Sequence, residues 1–191
     1  MVSREAIGAK LRIIRREKGL TLKALSQMCG VPISTLSKTE LGQTALSYDK
    51  LTAISFALNV EMATLLQASS QPMHSPALAG QVLKGSLAEH EDYITENYQH
   101  KFLFSEISGK SMTPIIATIF SREVTDFKEF IKHPGQEFTV VLSGSIKIVF
   151  ENGNEIELHE KETVYFDSSV GHVYLSLSAE PARVLTVCSD I

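Results

Sequence analysis

The sequence predicts two domains, an all-α head followed by an all-β barrel or sandwich, and three observations predict them. From Glu5 to about Gln67 apolar residues recur at helical spacing. Residues 69–80, SSQPMHSPALAG, carry neither periodicity and are rich in Ser, Pro, Ala and Gly, as linkers are. Beyond them come short β-branched or alternating runs at the 8–12-residue spacing of antiparallel sheets. The expected division is 1–68, 69–80 and 81–191.

Taken in order, Ile7, Leu11 and Ile14 mark a first helix, and Leu22, Leu25 and Met28 a second. Leu36 with Leu41, Leu51 with Ile54 and Leu58, and Met62 with Leu65 and Leu66 complete about five short helices. Gly19 ends the first, Thr21 is the N-cap of the second, Gly30 ends it, and Gly42 ends the third. In the second half the strand candidates are EFTVVLSG, SIKIVFENG, NEIELHE, ETVYFD, HVYLSLS and ARVLTVC, with Asn152-Gly153 as a hairpin turn.

Composition narrows the class. Hydrophobic residues at 43% and charged residues at 21% fit a globular chain and set aside disorder, collagen-like repeats and coiled coil. Apolar runs such as Val140-Val141-Leu142 fall far short of the ~20 residues of a membrane span. Arg4, Lys10 and Arg12 break up any signal-peptide core. Two distant cysteines, Cys29 and Cys188, suggest a reduced cytoplasmic protein without a disulfide framework. The net charge of −4 divides unevenly, +4 over residues 1–68 and −8 over the rest, which suits a polyanion-binding head on a body that need not touch DNA.

Within the head, two helices meeting at a steep angle require a tight turn and a small residue where they cross. Ser26 fits the crossing, Gly30 the left-handed turn, and Val31 and Leu36 the apolar pegs. That places Ile33, Ser34, Thr35, Ser37 and Lys38 on the outer and leading face of the second helix of the pair, the one that would enter the major groove. Thr21, Lys23, Gln43 and Ser47 are the flanking candidates for phosphate contact. The run GAKLRIIRREKGLTLKALSQMCGVPISTLSKTELGQ, followed by YDKLTAISFALNV, resembles the XRE/Cro-type repressor helix-turn-helix over essentially all of residues 5–67. The resemblance implies a five-helix module that binds palindromic operators in double-stranded DNA as a homodimer, with an ion pair between Arg15 and Glu40. Two departures are Leu22, where many members carry Gln, and Ala45, where Pro is frequent.

In the body the chemically active cluster is His133, Glu137 and His172, two imidazoles and a carboxylate able to bind one face of a divalent ion. HPGQEFTVVLSG resembles the first cupin motif from its second histidine onward, with Glu137 followed after six residues by Gly144; KETVYFDSSVGHVYLS resembles the second, ending at His172. Over about residues 110–190 the resemblance implies a double-stranded β-helix, the cupin barrel, holding metal, ligand or both. The earlier histidine of the first motif is Ile131 here, and Lys161, Asp167 and Ser169 stand where Gly, Pro and Gly are usual. Zinc, nickel or iron on three protein ligands is one expectation; histidines that hydrogen-bond an organic ligand or Glu137 without an ion are the other. Phe102, Phe104, Phe138, Tyr165 and Tyr174 are candidates for an apolar ligand wall, or for core filling.

A helix-turn-helix, a linker and a cupin in this order resemble bacterial regulators whose barrels detect small metabolites. The expectation is therefore a DNA-binding regulator, in the first place a repressor, with a small-molecule effector and no catalytic residues. Its rivals are a metal-dependent cupin enzyme carrying a DNA-binding head and an antitoxin-like repressor whose C-terminal half binds a protein.

Overall fold

The computed structural model describes residues 3–60, 62–66, 80–90, 92–107 and 109–189. They form two compact units, one carrying the five α-helices and one carrying all nine β-strands. The expected linker at 69–80 lies outside the described residues except for Gly80.

In the first unit, α1 spans Arg4–Glu17 and starts at Ser3, whose hydroxyl accepts from the Ala6 amide at 3.0 Å. Its buried side, Ile7, Gly8, Leu11, Ile14 and Arg15, follows the i, i+4, i+7 rhythm read from the sequence. The second helix, α2 (Leu22–Cys29), opens on Thr21, which accepts from the Ala24 amide, and closes on Gly30 in the left-handed region at φ 72°. After Pro32 comes α3, Ile33–Glu40, then α4, Tyr48–Leu58, and α5, Met62–Leu66. Leu11, Leu25, Leu36, Leu51, Ile54 and Leu65, one or two from each helix, are each buried almost completely. Gly8 permits the closest crossing: a Cβ there would stand 2.0 Å from the Thr39 carbonyl oxygen, so α1 and α3 meet backbone to backbone.

The second unit is entirely antiparallel. A six-stranded sheet runs β1-β2-β3-β9-β4-β7 and a three-stranded sheet runs β6-β5-β8. The strands are β1 Asp92–Ile94, β2 Tyr98–Phe102, β3 Met112–Ile119, β4 Gln136–Ser143, β5 Ser145–Phe150, β6 Glu155–His159, β7 Thr163–Asp167, β8 His172–Ser176 and β9 Ala182–Ser189. This is the all-β cupin architecture expected of the body. The Asn152-Gly153 turn joins β5 and β6, with Gly153 at φ 88° and the Asn152 side chain accepting from the Asn154 amide. Ile119, Val141, Ala182 and Val184 of the larger sheet pack against Ile146, Ile148, Leu158 and Tyr174 of the smaller. The three strands β1–β3, which precede the sequence motifs, close one side of this core. Among the described residues no helix is long and apolar enough to cross a membrane.

Candidate functional site

On the helical unit, α3 separates into two faces. Leu36 and Thr39 are buried, while Ile33, Ser34 and Lys38 are exposed and Thr35 and Ser37 half-buried. Ile33, Ser34, Ser37 and Lys38 therefore form an outward stripe of hydroxyls, one ammonium and one apolar contact, as the periodicity required. Lys23 and Gln43 are exposed as well. Thr21 and Ser47 sit at helix N-caps: the Thr21 hydroxyl caps α2, and the Ser47 hydroxyl accepts from Lys50 Nζ at 3.3 Å. Each hydroxyl keeps a proton to donate, the chemistry a phosphate contact needs.

The stripe is held by a buried ion pair. Arg15 Nη2 lies 2.7 Å from Glu40 Oε2, Nε bonds Oε1, and Nη1 donates to the Leu20 carbonyl at 2.7 Å. The pair links α1 to the end of α3, and hydrogen bonding to Glu40 raises the Arg15 guanidinium further above its ordinary value.

In the barrel unit the three predicted ligands come together. His133 lies in the bend before β4, Glu137 points inward from β4, and His172 opens β8 on the opposite sheet; each is at most 4% exposed. Backbone bonds fix the frame, since the Ile131 and His172 amides each donate to the other's carbonyl. His133 Nε2 is 3.1 Å and His172 Nε2 is 3.4 Å from the same oxygen, Glu137 Oε2. The other oxygen, Oε1, accepts from Tyr174 OH at 2.6 Å and Thr186 Oγ1 at 2.7 Å. Buried Thr139 adds its hydroxyl 2.8 Å from Tyr174 OH and 2.7 Å from Thr186 Oγ1.

Proton accounting decides what this cluster can do. His172 Nδ1 lies 2.9 Å from the Val170 carbonyl and His133 Nδ1 3.3 Å from that of Pro134. Carbonyls only accept, so each Nδ1 carries a proton and, in a neutral ring, each Nε2 presents a lone pair. Two lone pairs then converge on an ionised carboxylate, a set short of positive charge. It is satisfied by a further proton on each imidazole or by a divalent cation, with the Nδ1 contacts orienting the rings for either. Burial alone would push the Glu137 carboxyl up, but bonding to His133 and His172 and their charges outweigh it and hold the group well below the usual carboxylate range. Burial, the Glu137 charge and the bond to Glu137 keep Tyr174 protonated far above its ordinary value.

Sequence reasoning missed three participants. Cys188 on β9 stands opposite Glu137 in register, and ligand atoms of His133, Glu137 and Cys188 all lie within 4.8 Å of one another. Phe166 packs edge-on to the His172 ring, centroids 4.9 Å apart. His100 on β2 faces inward, stacked on Phe102, and its Nδ1 finds no hydrogen-bond partner among the described residues.

The proposed aromatic wall needs correction. Tyr174 and Phe102 are buried inside the unit, but Phe138 and Tyr165 are paired across β4 and β7 on the outer face, 36% and 64% exposed. Alternation explains this: with Glu137 and Thr139 inward, Phe138 must point out. Phe104 lies in the turn after β2 at φ 52°, against the His90 ring, outside the strand ladder.

Fold and site together define a two-domain chain in which a helix-turn-helix domain precedes a cupin domain. Residues 11–65 match the helix-turn-helix family model and residues 124–188 the cupin domain model. Among solved structures, an HTH_3 family transcriptional regulator from Vibrio cholerae aligns with TM-score 0.67 and 20% identity over 97% of this chain and 96% of that one. The hydroxypropylphosphonic acid epoxidase from S. wedmorenis aligns with TM-score 0.50 and 19% identity over 98% of each chain. Its complex with fosfomycin gives 0.51 and 19% over 98% of this chain and 100% of that one. At such identities the likeness is one of fold. No curated protein matches the sequence.

Proposed function

We propose that the chain is a DNA-binding transcriptional regulator, in the first place a repressor, whose barrel reversibly holds a metal ion, a small metabolite or both. The observation that carries this reading is the outward stripe of α3, Ile33, Ser34, Ser37 and Lys38, on a helix braced from behind by a buried Arg15–Glu40 pair. Ile33, Ser34, Thr35, Ser37 and Lys38 would enter the major groove, their polar atoms reaching base edges, and Thr21, Lys23, Gln43 and Ser47 would hold the phosphates. We take 1–68 as the reading head, 69–80 as the tether and 81–191 as the sensor. A head this small discriminates operators through a homodimer on a palindrome, with half-sites about one DNA turn or ~34 Å apart, in the cytoplasm.

The barrel supplies the linked variable. His133, Glu137 and His172 would hold zinc, nickel or iron, which would bring the positive charge their lone pairs lack. The unpartnered Nδ1 of His100, with Phe102 stacked beside it and Tyr174 also buried in the unit, supports a polar effector inside the same barrel. An occupant favouring one dimer arrangement shifts operator affinity by its differential binding to the two arrangements.

The full chain, tested against duplex DNA enriched by selection from a randomised pool, is expected to bind with strongly salt-dependent affinity. Lys23→Ala should weaken binding on all sequences and lower the salt slope by about 1. A full chain without salt-sensitive affinity for any duplex sinks the regulator reading.

A second reading, a metal-dependent enzyme, is favoured by the same buried His–Glu donors. Zinc alone separates the two. In the sensor, adding or chelating zinc shifts the duplex affinity of the full chain, and Glu137→Ala abolishes that shift. A wild-type chain that binds zinc without any change in DNA affinity favours the enzyme. Native mass spectrometry of the same sample with elemental analysis reads metal, co-purified metabolite and oligomer together.

A further inference from the structure

The fourth ligand position of the barrel site is the open question in the residues. Ile131, where the first cupin motif would place a histidine, offers hydrocarbon, and its backbone is spent on the bridge to His172. On the other side of Glu137 the register of β9 brings in sulfur. Cys188 is opposite Glu137 on β4 and Thr113 on β3, is 2% exposed, and places Sγ 3.7 Å from Glu137 Oε2.

The spacings to Glu137 Oε2 fit one ion, and the donor atoms of His133, Glu137 and Cys188, which lie within 4.8 Å of one another, would draw together to bind it. Around a tetrahedral cation with N and O donors at about 2.0–2.1 Å and sulfur at about 2.3 Å, N···O separations are about 3.3 Å and S···O separations about 3.6 Å. The distances to Glu137 Oε2 are 3.1 Å from His133, 3.4 Å from His172 and 3.7 Å from Cys188. Charge fits too: one carboxylate and one thiolate neutralise a divalent ion, and a neutral centre is what a buried site tolerates. With Glu137 as the one anion, the occupied site would carry a net positive charge in the interior.

We propose that Cys188 is a thiolate ligand, completing a two-histidine, one-glutamate, one-cysteine centre that selects borderline cations of the zinc and cobalt class over magnesium and calcium. On binding, the Sγ–H bond breaks, its proton leaves to solvent and an S–metal bond forms; any proton held on Nε2 of His133 or His172 leaves as that nitrogen coordinates, so each ion taken up releases at least one proton. The proposal rests on the metal-binding reading of the barrel but not on the DNA-binding reading of the head.

The test loads chelator-treated full-length protein with cobalt(II) alone. One equivalent should bind, giving a thiolate-to-cobalt charge-transfer band in the near ultraviolet that Cys29→Ser retains. Cys188→Ser and Cys188→Ala should lose the band and weaken cobalt binding by at least about tenfold. Magnesium and calcium should not displace the cobalt. Cobalt bound by the wild-type chain without the band, or a band that survives in Cys188→Ala, overturns the cysteine ligand while leaving the histidine–glutamate site standing. A wild-type chain that takes up no cobalt overturns both. Wild-type spectra alone suffice should either variant fail to fold, and duplex binding by the same samples reports on the regulator reading separately.

Discussion

Glu40→Ala is expected to lower the stability of the helical head by about 3–5 kcal/mol and to abolish duplex binding with it. Both side chains of the Arg15–Glu40 pair are at most 10% exposed, so removing the carboxylate strands a guanidinium whose remaining bond among the described residues is to the Leu20 carbonyl. The loss is larger than that of a surface pair because water cannot re-solvate the abandoned charge without opening the α1–α3 crossing. That crossing has no slack, since Gly8 already abuts the Thr39 carbonyl. For a helical unit of this size the midpoint should fall by roughly 12 °C or more, followed at 222 nm, where the helices dominate. A midpoint within about 2 °C of the parent would show that the pair is dispensable. Arg15→Met with Glu40→Leu, which removes both charges, should recover much of the stability.

Acidification is expected to cost the barrel about 3 kcal/mol between pH 6.5 and 4, chiefly through His100. Burial pushes its imidazole from 6.5 down to about 4, against a weaker pull upward from the Glu137 charge. The same-face neighbours of His100 on its strand, Tyr98 and Phe102, and its cross-strand partners, Tyr93 on β1 and Ala117 on β3, are uncharged. In that window the unfolded chain binds a proton that the native chain refuses, so stability is complete above about pH 6.5 and drains away as the pH falls towards 4. Glu137 acts at lower pH, because its depressed carboxyl contributes stability that is lost as the pH falls below its ordinary 4.5. The chain has no tryptophan, and four of its five tyrosines, Tyr93, Tyr98, Tyr165 and Tyr174, lie in the barrel, so tyrosine fluorescence during urea unfolding in a Tyr48→Phe background reports on this unit. His100→Leu should flatten the slope between pH 6.5 and 4; identical slopes for parent and variant would refute the assignment.

Much of the head was legible because its signals are local. Thr21, Gly30 and the apolar repeat of α1 act within one or two turns of chain, and the structure places each where its chemistry demands. In the barrel the Asn152-Gly153 turn and the His133–Glu137 spacing are equally local. Cys188 was not legible as a partner of Glu137, because only the β4–β9 register, 51 residues apart, brings them together. The ordinary look of residues 92–119 hid β1–β3 and with them His100, whose significance lies in what fails to bond it. The outward placement of Phe138 and Tyr165 was available in principle, since strand parity follows once Glu137 is taken as inward.

The site residues reach one another from different layers: Glu137 and Cys188 from the larger sheet, His172 from the smaller. Whatever these donors share stitches the two layers together, so losing it should loosen the sandwich along a single seam. Slowed amide hydrogen exchange along β4, β8 and β9 would be the signature of a filled seam, and faster exchange there, with β5–β6 unchanged, that of an empty one.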